Sequence, residues 1–200
     1  EDKAATRDIK RTVDFVFGHG SVRAWMGSGG LWIERRALVG EDKEELRAHV
    51  VRLTIEGGSL AEPHGSERTS GGRNFLLGRD PSKWRVDVPA WREVECADVL
   101  SGVDFVLRPE GSSFAYDLHL APEVDEGAVS LRIEGAEGLR LDREGGLVIE
   151  TPLGELRQRR PVVWEVTRGG RKVPVASRFV LLGEERYGFR VERSDRARSL

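Results

Sequence analysis

Short stretches of alternating polar and apolar residues, separated by glycine-containing turns, restrict the folds open to this chain. From residue 129 onward they recur roughly every eight to twelve residues, and the turns between them read DREGG, TPLG, TRGGR and LGEER. A period of two is typical of half-buried strands, and these turn residues favour tight reversals. Because no segment has the spacing of an amphipathic helix, crossover α/β folds are disfavoured. We predict an all-β fold: an antiparallel, β-sandwich-like meander of short hairpins with almost no helix. Its regular spacing leaves two related halves open.

Three segments are predicted to lie outside this pattern. Residues 1–12 are polar and are predicted to form a flexible lead, and residues 56–72, rich in Gly, Ser, Pro and charge, a mobile loop. Residues 41–47 favour a helix locally but contain one apolar residue, which predicts a loop with at most a helical turn. We predict one all-β domain over residues 1–200. Since the chain starts without methionine and ends without a turn or tail signature, we expect it to be excised from a longer multidomain protein.

Charge and apolar content exclude two kinds of partner. The 32 basic and 34 acidic side chains nearly cancel, so no overall field attracts nucleic acid. No run approaches the ~18 to 20 apolar residues of a membrane-spanning helix. The single cysteine, Cys96, cannot form an internal disulfide and has no histidine nearby in sequence. It is predicted to be a buried structural thiol rather than a nucleophile.

Asp117 and His119 are the residues with the clearest chemical potential. They lie two apart, on one face of a predicted strand whose other face carries Phe114, Tyr116, Leu118 and Leu120. A metal site would need further ligands, such as Asp98, Asp104 or His19, and the spacing selects none of them. Asp98 and Asp104, which flank Ser-Gly, are typical turn caps, and no calcium-loop spacing links them with Asp125. We predict no catalytic residue, metal or cofactor, and Asp117 and His119 are the residues to check for a metal.

Two further groups of residues each allow two interpretations. The tryptophans could line a sugar-binding face, but their spread of one or two per hairpin favours a core or sheet-covering role: Trp25, Trp32, Trp84, Trp91 and Trp164. Arg157, Arg159 and Arg160 form the densest basic cluster. In a chain of nearly neutral charge they are predicted to form surface ion pairs rather than a phosphate site.

Residues 74–120 contain the most distinctive motifs: NFLLGRDPSKW, VPAWREV, DVLSGVDFVL and FAYDLHLAP. Together with LRIEGA, LRLDREGGLVIET, GELRQRRPVVW and YGFRV, in this order from about residue 13 to the end, they resemble the uncharacterised domain found ahead of SBBP β-propeller-type repeats and other adhesion-like modules. That domain occurs in large bacterial exported proteins. The residues that carry the resemblance or shape the backbone here are Asn74, Phe75, Gly78, Asp80, Pro81, Trp84, Pro89, Gly102, Asp104, Tyr116 and Asp117. The asparagine-glutamine-glycine opening and closing isoleucine-aspartate-proline of the family are absent.

The resemblance implies a fold, a location and a kind of role, but no catalytic residues. Gly78, Pro81 and Gly102 would hold turns, and Trp84 and Tyr116 would fill a core. An extracellular or cell-surface location is implied. We expect a non-catalytic structural, adhesion or interaction module whose partners are other domains of the same protein, or a protein or glycan ligand. The alternative is a carbohydrate-binding or carbohydrate-active domain, suggested by the tryptophans and the many carboxylates.

Overall fold

The computed structural model describes residues 13–18, 20–76, 78–111 and 113–192 and, for Phe75, only the backbone. These residues form strands joined mainly by tight turns, and two one-turn 3-10 helices, Pro81–Lys83 and Glu126–Ala128. The strands are β1 Val13–Phe17, β2 Val22–Gly27, β3 Gly30–Val39, β4 Glu45–Ile55, β5 His64–Phe75, β6 Arg85–Leu100, β7 Val103–Glu110, β8 Ser113–Leu120, β9 Ser130–Glu134, β10 Gly138–Leu141, β11 Leu147–Glu150, β12 Leu156–Gln158, β13 Val163–Val166, β14 Lys172–Leu181 and β15 Arg186–Glu192.

The strands form three antiparallel sheets, which confirms the predicted all-β class. The largest has the order β1-β2-β3-β4-β9-β15-β14-β13, the second β5-β6-β7-β8 and the smallest β10-β11-β12. Within the largest sheet, β9 lies between a meander from the start of the chain and the hairpins from its end. It pairs with β4 on one side and with β15 on the other. Both halves of the chain therefore contribute to one sheet.

One apolar core is shared by the three sheets. Along the second half of β4 alternate residues are buried, as the period of two requires, whereas β3 buries the consecutive pairs Gly30–Leu31 and Ile33–Glu34. Each sheet supplies fully or almost fully buried side chains: Leu31, Leu53, Leu131 and Tyr187 from the largest, Val94, Cys96 and Phe105 from the second, and Leu147 and Ile149 from the smallest. Phe114, Tyr116, Leu118 and Leu120 pack against this core, as predicted for one face of β8. Each large apolar side chain buried here contributes about 1.5–3 kcal/mol to folding.

A hydrogen-bonded cluster of three side chains links the sheets. The hydroxyl oxygens of Tyr116 in β8 and Tyr187 in β15 are 2.8 Å apart, and Tyr116 donates to Oε1 of Gln158 in β12 at 2.9 Å. Gln158 Nε2 donates to the Tyr187 hydroxyl at 3.3 Å. The Phe105 ring stacks on Tyr116 with centroids 5.3 Å apart. Because each member belongs to a different sheet, the cluster fixes the position of the sheets relative to one another.

Two predicted loop boundaries differ from the structure. Residues 41–44 form the turn between β3 and β4, but Glu45 already begins β4, because its pairing with Val39 overrides the local helix preference. Of residues 56–72, only 56–63 lie outside strands, since residues from His64 onward pair with β6 as part of β5. The predicted lead, residues 1–12, lies outside the described residues. Among those described, no helix is long and apolar enough to cross a membrane.

Candidate interaction surfaces

The paired ends of β5 and β6 extend beyond the rest of their sheet. β7 pairs with β6 only from Val94 onward, whereas β5 continues to pair with β6 as far as Phe75 and Arg85. Every side chain described between residues 70 and 87 is exposed. We call residues 70–87 the arm. Register shifts on both sides of Gly72 interrupt its ladder, and irregularities of this kind increase the local twist of a hairpin.

The tip of the arm is held by side chains of the motif NFLLGRDPSKW. Asp80 caps the Pro81–Lys83 turn: its Oδ1 accepts from the Ser82 amide at 3.1 Å and from the Ser82 hydroxyl at 2.8 Å. These bonds, with the hydroxyl bond foremost, hold the pKa of Asp80 below its ordinary value. Trp84 Nε1 donates to the Gly78 carbonyl at 3.1 Å. A polar network thus fixes the shape of the tip.

Two further motif residues hold the arm below its tip. Asn74 Oδ1 accepts from the Asp87 amide at 2.9 Å across the hairpin. Pro89 pairs with Gly72, where an added Cβ would lie 2.2 Å from Asp87 Oδ1 and 2.7 Å from its Cα. Glycine is therefore required at position 72 for the two strands to approach.

The exposed tip contradicts the expectation that Trp84 fills a core. Trp84 is 38% exposed, and Leu76 and Val86 are exposed with it. The expectation was wrong because the side chain is fixed by its hydrogen bond to the Gly78 carbonyl, away from the sheets. Sequence reasoning missed Leu76 and Val86 as surface residues, since an apolar residue in an alternating strand looks the same whether its face is covered or open.

Gly102, Asp98 and Asp104 form the tight turn between β6 and β7. Asp98 Oδ1 accepts from the Gly102 amide at 3.3 Å, and the Asp98 amide donates to Asp104 Oδ1 at 2.9 Å. Gly102 has a φ of 73°, in the left-handed region that favours glycine. This is the turn-capping geometry expected for the two aspartates.

Asp117 and His119 do not meet in a common site. Asp117 Oδ2 accepts from Arg108 Nε at 2.8 Å, and the neighbouring Glu110 also lies within ion-pair distance of that arginine. His119 is exposed and lies opposite Asp104 on β7. Oδ1 of Asp104 accepts a hydrogen bond from the Asp98 amide. Among the described residues no three His, Cys, Asp or Glu side chains are grouped to hold a metal. His19 lies outside them. The described residues therefore supply no third metal ligand beside Asp117 and His119.

Cys96 lies in the core, with a fully buried thiol. It is paired with Phe105 on β7. Burial raises the pKa of the thiol from its ordinary value of 9.0 to about 11. A thiol that is both protonated at neutral pH and inaccessible is a poor nucleophile, which agrees with the predicted structural role.

None of the five tryptophans is buried in the core: four lie in strands, and Trp84 lies at the tip of the arm. Trp25, Trp32 and Trp91 are half-buried, whereas Trp84 and Trp164 are exposed. Trp25 and Trp32 are cross-strand partners on β2 and β3, and Arg52 lies over the Trp32 ring at 5.7 Å from its centroid. Arg52 also pairs with Glu134 at 3.2 Å. The sheet-covering prediction holds for the tryptophans that lie in strands, of which Trp164 is 51% exposed, and is wrong for Trp84, which lies outside the strands.

A second exposed apolar surface lies at the edge of the largest sheet. Val162, Trp164 and Val166 alternate along the β13 segment, and each has at least half of its surface exposed. Of the basic cluster beside it, Arg157 pairs with Asp142 and Glu155, as predicted for surface ion pairs. Arg159 and Arg160 have no carboxylate partner within the part of the chain that the structure describes. The prediction of ion pairs is thus met by one arginine of three.

No curated protein and no solved structure matches this chain. One family model does match it, over residues 12–200. The matched range contains all the strands described above, including the arm, the Tyr116 and Tyr187 cluster and the β13 edge. The chain belongs to the family described as a domain of unknown function, DUF7948.

Proposed function

We propose that this domain is a non-catalytic interaction module of a larger bacterial exported or cell-surface protein, and that the arm contacts another domain of that protein. The arm carries the proposal because it places Leu76, Trp84 and Val86 in solvent beyond the main body of the sheet. Exposed aromatic and aliphatic side chains of this kind are typical of binding surfaces.

The hydrogen bonds within the tip favour a role in binding. Asp80, Ser82 and the Trp84 indole are already held by hydrogen bonds, so little conformational freedom would be lost on contact. Pro81 further restricts the backbone at this point. A preorganised apolar tip is a favourable contact element.

The proposed location and context rest on the resemblance of the motifs to the domain that precedes SBBP repeats. Modules in such proteins are connected in series, and an arm that protrudes from a sheet can reach a neighbouring domain. An extracellular or surface location and a role in adhesion or structural presentation follow from that context.

Hydrogen exchange in the parent protein tests this proposal. Amides of residues 76–88 should exchange more slowly in the full-length parent protein than in the isolated domain, since contact would protect the tip. Trp84→Ala should remove the protection, because truncating a central aromatic contact weakens binding by about tenfold or more. Trp164→Ala, which removes an exposed tryptophan from a different surface, is the matched control and should leave the protection intact.

Two results would contradict the proposal. Equal exchange of residues 76–88 in the isolated domain and in the parent protein would show that the arm contacts no neighbouring domain. Turnover by the purified domain on a panel of hydrolase substrates would show that the domain is catalytic, whatever the arm does.

Carbohydrate binding is the second candidate, and the Trp25–Trp32 pair favours it. The pair lies on the face of β2 and β3 opposite the buried Ala24, Leu31 and Ile33, so it faces away from the core. Two neighbouring aromatic rings beside a charged Arg52–Glu134 pair combine stacking surface with polar groups.

Glycan binding distinguishes the two candidates. If the second is correct, the domain binds glycans on an array, and Trp25→Ala with Trp32→Ala abolishes that binding while Trp84→Ala does not. Array silence for the wild-type domain would leave the arm as the candidate surface.

A further inference from the structure

The outer face of β13, β14 and β15 combines an apolar stripe with unpaired positive charge. Trp164 is paired with Pro174 and Val166 with Lys172, so these side chains share one face of the sheet. Lys172 Nζ lies over the Trp164 ring, 5.9 Å from its centroid. No described strand pairs with the outer edge of β13. We call this surface the basic face.

Two arginines on the basic face lie directly opposite each other. Arg178 of β14 is the cross-strand partner of Arg190 of β15, and like charges at such a pair destabilise a sheet. Neither has a carboxylate within ion-pair distance among the residues of the structure described here. Several arginines elsewhere, such as Arg36, Arg108 and Arg140, do contact a carboxylate. One carboxylate, Glu192, shares this face with Lys172, Arg178 and Arg190. The basic face therefore has an excess of positive charge that a negative partner would stabilise.

The turn between β3 and β4 has the complementary character. Glu41, Asp42 and Glu44 are exposed, with Lys43 as the only cation between them. None of the three acids has an ion pair in the described part of the chain, unlike Glu45, which pairs with Arg47. Directly below the turn, Leu38 and Leu46 are exposed cross-strand partners. We call this hairpin end the acidic tip.

The acidic tip is also accessible to another molecule. β9 pairs with β4 only through residues 52–55, so the opposite end of β4, which carries the tip, extends past it. The tip and the basic face lie on different strands of the sheet order and are different surfaces. The molecule as a whole has a net charge of -2, so overall repulsion between copies is small.

We propose that the acidic tip of one copy of this chain docks on the basic face of a second copy. Leu38 and Leu46 would cover the Trp164 and Val166 stripe, and the acids would neutralise Arg178 and Arg190. Because the two surfaces differ, the contact is heterologous: the copy that supplies its acidic tip keeps a free basic face, and the other copy keeps a free acidic tip. Association therefore continues into a chain or closes into a ring. This self-association goes beyond the contact proposed for the arm and uses other residues.

Charge reversal on each surface tests the contact by sedimentation velocity. The wild-type chain should associate with rising concentration at low salt and dissociate as salt screens the charges. Asp42→Lys with Glu44→Lys, and separately Arg178→Glu with Arg190→Glu, should each weaken association more than about tenfold. An equimolar mixture of the two variants should associate again, because each reversed surface then meets the opposite charge on the other protein.

The control reverses two exposed charges on the arm, Arg73→Glu with Arg79→Glu, and should leave association unchanged. Circular dichroism and melting temperature establish that every variant is folded. A wild-type chain that stays monomeric at all salt and protein concentrations overturns the proposal. So does association that survives either reversal, or a mixture that fails to associate. Loss of nucleic-acid or acidic-glycan binding in R178E/R190E, with a monomeric wild-type chain, would assign the basic face to a polyanion instead.

Discussion

At the residue scale, the Tyr116, Gln158 and Tyr187 cluster joins the three sheets through hydrogen bonds. Tyr187→Phe removes a hydroxyl that the Tyr116 hydroxyl and Gln158 Nε2 both contact, and leaves these groups buried with fewer partners. We expect this change to lower the free energy of unfolding by about 1–3 kcal/mol. Urea unfolding measures it.

Ser66→Ala is the matched control for that substitution. It removes the hydroxyl that donates to Glu95 Oε1 at 3.2 Å, near the surface of the second sheet. Because water replaces a partner there, the cost should stay below about 0.5 kcal/mol. A Tyr187→Phe protein as stable as Ser66→Ala would mean that the cluster does not hold the sheets together.

Tyr116 and Trp84 show which side-chain positions could be predicted from the sequence. Tyr116 was predicted on an inward face because the alternation in β8 is clear, and its packing against the core confirms this. Its bonds to Gln158 and Tyr187 could not be predicted, since nothing local to residues 116, 158 and 187 indicates that three strands from different sheets meet. The position of Trp84 was predicted wrongly although the hydrogen bond that fixes it, to the Gly78 carbonyl, is local in sequence. The prediction followed the general preference of large aromatic residues for the core.

At the scale of elements, the hairpin of β6 and β7 depends on the turn at Gly102. A Cβ at this position would lie 2.9 Å from Val124 Cγ2 and 3.3 Å from Ala121 Cβ, in addition to the strain of a φ of 73°. Gly170 has a nearly identical φ of 76° with nothing within 4 Å of an added Cβ. Gly102→Ala should therefore destabilise the fold more than Gly170→Ala.

The comparison separates crowding from backbone strain. Gly170→Ala should cost about 1 kcal/mol, the typical cost of a left-handed non-glycine residue, and Gly102→Ala about 1–3 kcal/mol more. Thermal unfolding of both variants measures the difference. Equal costs would show that Val124 and Ala121 move aside freely.

Elements were predicted well where pattern and pairing agree. The strands of residues 129–192 follow from alternation and turn residues alone. β5 was partly missed because its sequence is rich in Gly, Ser and charge, and it becomes a strand only through pairing with β6. The length of the arm is likewise a property of the pair, since β7 pairs with β6 no further than Val94 and Leu107, whereas β5 pairs with β6 as far as Arg85.

At the scale of the whole molecule, the buried hydroxyls of Tyr116 and Tyr187 and the buried thiol of Cys96 predict a loss of stability at alkaline pH. Burial raises the pKa of Tyr187 from 10.0 to about 12 and that of Cys96 from 9.0 to about 11, and raises that of Tyr116 well above 10.0. The folded protein keeps these protons while the unfolded chain releases them. Stability is therefore fully present below pH 9.0 and falls as pH rises through the folded pKa values.

Unfolding free energies between about pH 8 and pH 12 test this sign and its origin. Each group contributes a slope of about 1.4 kcal/mol per pH unit between its unfolded and folded pKa values. Tyr187→Phe should reduce the slope above pH 10.0, whatever it does to stability at neutral pH. A stability independent of pH over this range would mean that these side chains are hydrated in the folded protein.

The position of β9 has a consequence for the order in which the molecule can assemble. Strands β1 to β4 form a local meander, but the inner edge of β4 is completed only by β9, and the nearby Glu56–Arg132 ion pair joins residues 76 positions apart. Contacts of such separation form late and slow a folding reaction. During synthesis at about 5–20 residues per second, β9 is synthesised several seconds after β4, and the edge of β4 is unpaired during that time. β9, which is five residues long, therefore pairs with β4 after the β1–β4 meander has formed. Until β9 pairs with it, the edge of β4 is open to pairing with a strand of another chain.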